Sequence, residues 1–353
     1  MGLAAVACCA GGLTRAAPSE LRATCPSSEG LQFVCGTQGS EDLVRIPGTS
    51  WLVASGLKLA GPAHLYLIDT REQRAFIGFP LPGSVLPSDG TWRASCPAPP
   101  DLSRLSTDGL GILPGRNGVH RLFAANHGDR RAIEFFEVDA RAARPNIRWV
   151  GCAVLPDGTL PNAVAPLAGG GLLVTSFYDP GDARAWEHMA RGEPTGRILE
   201  WQPGRGFREL PGSAMSGANG LETSADERVI YASAWSARRL VILPREGGRS
   251  ETVQLDFLPD NIHRLEDGSL LVGGQRTEVE RIARCGAGEC PQPWTIVRIE
   301  PRSHTVTPLL AREGSPEVNY ACGGLVVGKE LYLTARGSRS VALVPWSALP
   351  SLR

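Results

Sequence analysis

The feature that most constrains the fold of this chain is a short run of β-favouring residues that ends in small residues and occurs six times. The six copies are residues 51–55, 121–125, 172–176, 229–233, 270–274 and 331–335. They recur at intervals of roughly 40 to 70 residues, the range of propeller blades with loop insertions. Small residues suit a blade that narrows toward a central axis. We therefore predict an all-β chain folded as a six-bladed β-propeller.

Each copy is followed by a second β-favouring run, which predicts two consecutive strands of a four-stranded blade. These runs are residues 65–68, 133–136, 197–200, 239–242, 295–298 and 341–344. Alternation alone does not separate antiparallel architectures, so a β-sandwich or two small β-domains are the alternatives. Because no Pro/Gly/Ser-rich linker divides the chain, we assign residues 25–353 to one propeller. Closure of the ring predicts that the segment near Cys35 packs beside the last blade.

Residues 1–24 are predicted to be an export signal or an N-terminal tail. The apolar run over residues 3–13 is shorter than the roughly 20 residues that a membrane-spanning helix needs, and Ala16 and Ala17 follow it as a cleavage site. Since a positive segment before the run is missing, residues 5–8 could instead end a lipoprotein signal, with a lipid anchor at Cys8. Both interpretations predict an exported protein.

The nine cysteines lack the paired spacing of zinc sites, so disulfides are the favoured use. Cys285 and Cys290 flank a Gly-rich turn and could bridge locally, but the odd total leaves one thiol unpaired or linked outside the chain. Lys+Arg and Asp+Glu are both 36, so the chain has no net positive charge that would favour binding to nucleic acid. The sequence also lacks a Gly-x-Ser-x-Gly elbow and a phosphate-binding loop. The oligomeric state stays open.

Polar residues lie about ten positions upstream of four of the recurring runs, where the innermost strand of a blade begins. They are Glu41, Asn162, Asn219, Asp260 and Asn261. Four separated segments would thus converge on one axis with two carboxylates and three amide oxygens, a donor set that suits Ca²⁺ better than zinc or copper. The alternative is that Asn and Asp only initiate turns before strands. Their shared offset favours a calcium site.

Motifs in the same order resemble those of the paraoxonase/arylesterase family, over roughly residue 35 to the C-terminus. The motifs are residues 39–43, 55–58, 126–127, 160–162, 218–220, 224–226, 229–231 and 260–262. The resemblance implies a calcium-dependent ester and lactone hydrolase whose catalytic calcium is held by the same five residues. Gluconolactonase and strictosidine-synthase-like propellers share the architecture but match these motifs less closely.

The chain departs from the family pattern in its histidine dyad and in its second metal. His127 matches one dyad histidine, but the other falls on Leu110. The resemblance also implies a second calcium. Its only matching ligands here are Asp42 and the carbonyl of Ile112, because Ala163 stands where the family has an acid. Residues 341–344 contain no cysteine to match the family's closing disulfide, so closure would use other residues such as Cys322.

An insertion over residues 177–189 resembles the family's helical lid. Its residues Tyr178, Trp186 and Met189 could line an apolar substrate site or pack on the blades. We expect a calcium-dependent hydrolase of small-molecule esters or lactones, in which Asp260 acts as base at the metal and His127 supports it. The alternatives are a propeller with purely structural calcium that binds a ligand or protein, and a lyase or condensing enzyme.

Overall fold

In a computed structural model of the protein, residues 30–59, 61–81 and 96–349 are described, together with Leu21, Cys25, Ser27 and Ser28. The predicted export segment and Cys8 lie outside the described residues. The described strands form six four-stranded antiparallel sheets. The prediction of a six-bladed β-propeller is confirmed.

The first three blades follow one another along the chain. Blade 1 contains β2 Leu43–Arg45, β3 Trp51–Ala54, β4 Leu65–Asp69 and β5 Arg74–Phe79. Blade 2 contains β6 Thr107–Leu113, β7 Val119–Asn126, β8 Ala132–Asp139 and β9 Asn146–Val154. Blade 3 contains β10 Pro161–Pro166, β11 Leu172–Ser176, β12 Arg197–Gln202 and β13 Gly206–Glu209.

The remaining three blades complete the ring. Blade 4 contains β14 Ala218–Thr223, β15 Val229–Ala234, β16 Arg239–Pro244 and β17 Glu251–Gln254. Blade 5 contains β18 Leu258–Arg264, β19 Leu270–Gln275, β20 Trp294–Glu300 and β21 Thr305–Arg312. Blade 6 contains β22 Ala321–Val327, β23 Glu330–Ala335 and β24 Ser340–Pro345, and its outer strand is β1 Gln32–Cys35.

The ring is closed by strand pairing between the two ends of the chain. β1 runs antiparallel to β24, with Gln32 opposite Leu343 and Cys35 opposite Ser340. The predicted contact between the segment near Cys35 and the last blade is therefore confirmed. Cys322 takes no part in this closure; it is a buried free thiol at the start of β22, and the expectation that it closes the ring is wrong.

The recurring runs form the second strand of every blade, from β3 to β23. These strands are buried on both faces because each blade packs between two neighbours. All five residues of β11 are buried, for example. The apolar clusters lie between blades, as where Val53 and Phe76 of blade 1 pack in one cluster with Leu122 and Phe136 of blade 2.

Within the described ranges, two α-helices interrupt the strands. α1 Ala185–Ala190 lies between β11 and β12, as the lid motif predicted, and α2 Val279–Glu289 between β19 and β20 was not predicted. The two helices contact each other. Among the described residues, neither helix has the length and apolar character that crossing a bilayer requires.

Three disulfides join Cys25 to Cys35, Cys96 to Cys152 and Cys285 to Cys290. The predicted local bridge is confirmed, and it ties the end of α2 to the chain that follows. Three disulfides in one domain are typical of an oxidising, exported environment.

Candidate metal centre in the central channel

A break in strand pairing near the start of the inner strand presents one residue to the channel in five of the six blades. The register shifts lie between Thr107 and Leu110, Pro161 and Val164, Ala218 and Leu221, Pro259 and Ile262, and Ala321 and Gly323. Such bulges re-aim side chains. The first residues inside these shifts are Asp108, Asn162, Asn219, Asp260 and Cys322, and Glu41 lies two residues before the inner strand of blade 1, which begins at Leu43. Each blade thus contributes one polar side chain.

Glycine or alanine follows four of these six residues, because the inner strands crowd at the axis. A Cβ on Gly109 would lie 2.5 Å from the carbonyl oxygen of Asn162, and one on Gly323 would lie 2.8 Å from the Cβ of Asn261. Both distances are below van der Waals contact. Glycine therefore lets adjacent blades bring their polar residues together.

Five side-chain oxygens in this group are buried and accept no hydrogen bond within the described part of the chain. They are Glu41 Oε2, Asp108 Oδ1, Asn162 Oδ1, Asn219 Oδ1 and Asp260 Oδ1. Four of these residues line one cavity of about 230 Å³. The fifth, Asp108, accepts a 3.1 Å hydrogen bond from Nδ2 of Asn162, which lines that cavity. Buried acceptors without donors are costly. A hard cation would satisfy all of them, so the donor set fits Ca²⁺.

The electrostatics of the group agree with a cation site. Ligand atoms of Glu41, Asp260 and Cys322 lie within 4.8 Å of one another. Burial raises the pKa of Glu41 well above its ordinary value, and the charges of Asp108 and Asp260 raise it further. Burial likewise raises the pKa of Asp260 to about 7, with a further contribution from the charge of Asp108. The charge of Arg336 lowers the pKa of both carboxyls, but burial and the neighbouring carboxylates outweigh it.

Hydrogen bonds fix two of the carboxylates in place. Gln275 Nε2 donates to Asp260 Oδ2 at 2.8 Å, and Asn261 Nδ2 donates to Glu41 Oε1 at 2.9 Å. Each carboxylate therefore keeps its other oxygen, Oδ1 or Oε2, for a different partner. Asn261 differs from the other four predicted ligands, because it lines a separate cavity and its amide nitrogen holds Glu41.

The polar ends of the recurring runs hold the backbone around the channel. Ser55 Oγ accepts hydrogen bonds from the backbone N–H groups of Glu41 and Asp42, at 3.1 and 2.9 Å. Thr175 Oγ1 donates to the carbonyl of Asn219 at 2.6 Å, and Ser233 Oγ donates to that of Asp260 at 2.7 Å. The small residues that suggested blades thus also position the candidate ligands.

His127 follows β7 and lines the same cavity. Its Nε2 hydrogen-bonds to the carbonyl of Pro161 and lies 3.4 Å from Asp108 Oδ2. Since both neighbours are acceptors, Nε2 carries the proton and Nδ1 is left unprotonated. Burial lowers the pKa of His127, which keeps the ring neutral, although the charge of Asp108 opposes this effect. The residue beside His127 is therefore Asp108, whereas Leu110 lies in the apolar core between blades 1 and 2.

The residues expected to hold a second calcium are Asp42 and Ile112. Both oxygens of Asp42 accept hydrogen bonds, Oδ1 from the N–H of Leu43 at 2.8 Å and from His263 Nε2 at 2.9 Å, and Oδ2 from the N–H of Leu110 at 2.7 Å. Burial lowers the pKa of His263, but the charge of Asp42 and this hydrogen bond outweigh it and raise the pKa overall. Ile112 lies further along β6, half-buried against the core. Both oxygens of Asp42 therefore already have protein donors, unlike those of the channel group, and the second calcium stays a prediction.

Aromatic side chains cover the candidate metal centre. Phe177, Tyr178 and Trp186 line the cavity, as does Ile282 of the second helix. Trp186 also packs edge-on to Trp235, with ring centroids 6.1 Å apart. Of the three predicted lid residues, Tyr178 and Trp186 line the cavity, and Met189 is fully buried in the cluster behind it.

Two channel residues were missed: Asp108 lies 13 positions before its run and so departs from the offset of about ten, whereas Cys322 lies 9 positions before its run but is a thiol rather than an oxygen donor. Both are followed by glycine, as Asn219 is, and this pair of a polar residue and glycine is the signal that could have found them. The sequence gives no comparable signal for His263 or for Arg336, which lines the cavity.

Comparisons with known proteins agree with the fold. No protein-family model matches the chain, and no curated protein matches it. Solved structures that resemble it include a luciferin-regenerating enzyme, with 15% identity over 89% of this chain and 95% of that one and a TM-score of 0.55. A gluconolactonase from Xanthomonas campestris has 15% identity over 91% and 89%, with a TM-score of 0.53. Regucalcin from Agrobacterium tumefaciens, described as a calcium-binding protein, has 13% identity over 89% and 92%, with a TM-score of 0.51.

At these identities the likeness shows a shared propeller fold. The structural neighbours are gluconolactonase, regucalcin and luciferin-regenerating-enzyme propellers. The narrower resemblance to the paraoxonase/arylesterase family stays a prediction from the motifs.

Proposed function

We propose that the protein is an exported, calcium-dependent hydrolase of carboxylic esters or lactones. The observation that carries this proposal is a group of five buried side-chain oxygens that have no donor within the described residues. Four of them belong to residues that line one lidded cavity, and the fifth belongs to Asp108, which is hydrogen-bonded to Asn162 of that cavity. The gluconolactonase among the similar structures supports the lactone class, and regucalcin supports the metal.

In this proposal the calcium is held by Glu41, Asn162, Asn219 and Asp260, and Asn261 remains the fifth predicted ligand. Bound there, calcium would supply an electrophile that polarises the substrate carbonyl and stabilises the charge developing on its oxygen. Glu41 and Asp260 offer one unpaired oxygen each, while Asn261 and Gln275 hold the other oxygen of each carboxylate.

The proton of the attacking water would go to Nδ1 of His127. Asp108 and the carbonyl of Pro161 hold the opposite nitrogen, Nε2, so Asp108 stabilises the imidazolium that forms. Asp260 was the base expected from the sequence, but a carboxylate that neutralises a cation is a weak base. We therefore assign Asp260 to the metal and His127 to the proton. Phe177, Tyr178 and Trp186 would bind the apolar part of the substrate and exclude water.

The test is hydrolysis of phenyl acetate and a panel of lactones, with and without a chelator. We expect activity that chelation abolishes and calcium restores. His127→Gln should lower kcat by roughly a hundredfold or more while calcium affinity stays unchanged. His304→Gln is the matched control, because His304 pairs with Glu251 at the exposed surface.

Activity that persists in chelator would refute a calcium enzyme. Calcium binding that stabilises the fold without hydrolysis of any ester or lactone would instead indicate a structural ion, and full activity in His127→Gln would exclude His127 as the base.

A further inference from the structure

Arg336 is a cation at the rim of the candidate metal centre that the proposed reaction does not use. It directly follows β23 and lines the same cavity as Glu41 and Asp260. Its backbone N–H donates to the carbonyl of Tyr320 at 3.0 Å, which anchors it to the residue preceding β22. The position of Arg336 in the channel is therefore set by the backbone of blade 6.

The guanidinium of Arg336 has donors to spare. Its Nε is buried and has no hydrogen-bond partner within the described residues. Arg130 shows the contrast: its Nε and one terminal nitrogen contact the Glu134 carboxylate at 2.9 and 2.8 Å. A guanidinium carries five N–H donors in a planar fork that matches a carboxylate. The donors of Arg336 are thus available to an acceptor in the cavity.

The charges around the cavity favour an anionic acceptor. Glu41, Asp108 and Asp260 carry three negative charges when ionised, so a divalent cation leaves one, which Arg336 offsets. Burial lowers the pKa of Arg336, but the charges of Asp108 and Glu41 raise it overall, so it stays charged. With its metal bound, the cavity does not repel an anion, and Arg336 is placed to pair with one.

We propose that Arg336 selects esters or lactones that carry a carboxylate in addition to the bond that is cleaved. The inference rests on the proposed hydrolase function and narrows its substrate class. In such a substrate the carboxylate pairs with Arg336, and the apolar body contacts Phe177, Tyr178 and Trp186.

Two esters that differ by one carboxylate group test this selectivity: phenyl acetate and 4-acetoxybenzoate. In the calcium-loaded wild type, kcat/KM should be higher for 4-acetoxybenzoate. Arg336→Gln should lower kcat/KM for 4-acetoxybenzoate by roughly tenfold or more, mainly through KM, and change that for phenyl acetate by less than about threefold. Arg336→Lys should recover part of the loss. An equal loss on both esters, or no loss on the anion, overturns the proposal.

A binding measurement separates this inference from the hydrolase proposal. Calorimetric titration of the calcium-loaded protein with benzoate and with benzamide compares an anion with a neutral molecule of similar shape. We expect Arg336→Gln to weaken benzoate alone and to leave calcium affinity unchanged or higher, since a nearby cation is removed. Arg336→Met serves the same comparison if the glutamine variant does not fold.

Benzoate selectivity that depends on Arg336 supports the inference even if neither ester is hydrolysed, an outcome that would refute only the hydrolase proposal. Equal binding of benzoate by wild type and variant overturns the inference. A fall in calcium affinity on removing Arg336 also overturns it, because Arg336 would then maintain the metal centre.

Discussion

Glu41 and Asp42 are adjacent, buried carboxylates that meet opposite surroundings. Glu41 keeps one oxygen without any donor in the described part of the chain, whereas both oxygens of Asp42 accept hydrogen bonds from Leu43, Leu110 and His263. The exposed fractions are 2% and 5%, so burial does not distinguish them. The difference lies in which donors each carboxylate meets.

The direction of the side chain produces this difference. Successive side chains of an extended strand point to opposite sides, so Glu41 reaches the lidded cavity while Asp42 lines a cavity of about 350 Å³ along the rest of the inner strands. His263 comes from blade 5 to meet Asp42 of blade 1 across the channel. A buried acid therefore indicates a metal only when its oxygens lack protein donors.

Replacing each carboxylate with its amide should produce the largest difference in calcium affinity between the two positions. Glu41→Gln removes an unpaired anionic oxygen and should lower calcium affinity by roughly a hundredfold or more. Asp42→Asn, its matched control, should leave calcium affinity within about threefold of the wild type. Calorimetric titration with calcium measures both. Equal losses of affinity in the two variants would contradict the separation of the two sites.

Removing His263 tests whether its hydrogen bond to Asp42 stabilises the fold without a second ion. His263→Ala leaves Asp42 Oδ1 with one charged hydrogen bond fewer, so unfolding free energy should fall by about 1.5–3 kcal/mol in chelator. His304→Ala should cost about 0–1 kcal/mol, because its pair with Glu251 is exposed. Urea unfolding gives both values. We expect elemental analysis of the wild type to find one calcium per chain; a second equivalent would show that Asp42 also binds an ion.

Ser55 Oγ accepts hydrogen bonds from the backbone N–H groups of both Glu41 and Asp42, and its removal is expected to have the smallest effect. Ser55→Ala leaves the backbone N–H groups of Glu41 and Asp42 without their shared acceptor and should cost about 1 kcal/mol, less than the loss of a charged partner. Denaturant unfolding and calcium titration should show a small loss in both stability and affinity. A loss confined to affinity would mean that Ser55 positions Glu41 alone.

The blades and four channel residues could be predicted because they repeat. Each recurring run became the second strand of a blade, and Glu41, Asn162, Asn219 and Asp260 share one offset from it. Asp108 does not share this offset, because β6 and β7 form a longer hairpin than β10 and β11 and Asp108 therefore lies further upstream of its run.

Contacts across the ring could not be predicted in this way. His263 and Asp42 are separated by 221 positions, and no local pattern encodes which residues of blades 1 and 5 meet. The same holds for Arg336, whose role depends on carboxylates from three other blades. The second helix was missed because it is an insertion outside the repeat.

The pairing of β1 with β24 also determines when the metal centre can exist during biosynthesis. Among the described strands, the outer strand of blade 6 is made first and its partner β24 last, so this blade cannot be completed until β24 has left the ribosome. Glu41 of blade 1 and Cys322 of blade 6 belong to one group of side chains that ring closure holds together. An emerging chain therefore presents single carboxylates rather than an assembled cluster, and high-affinity calcium binding would report a finished molecule.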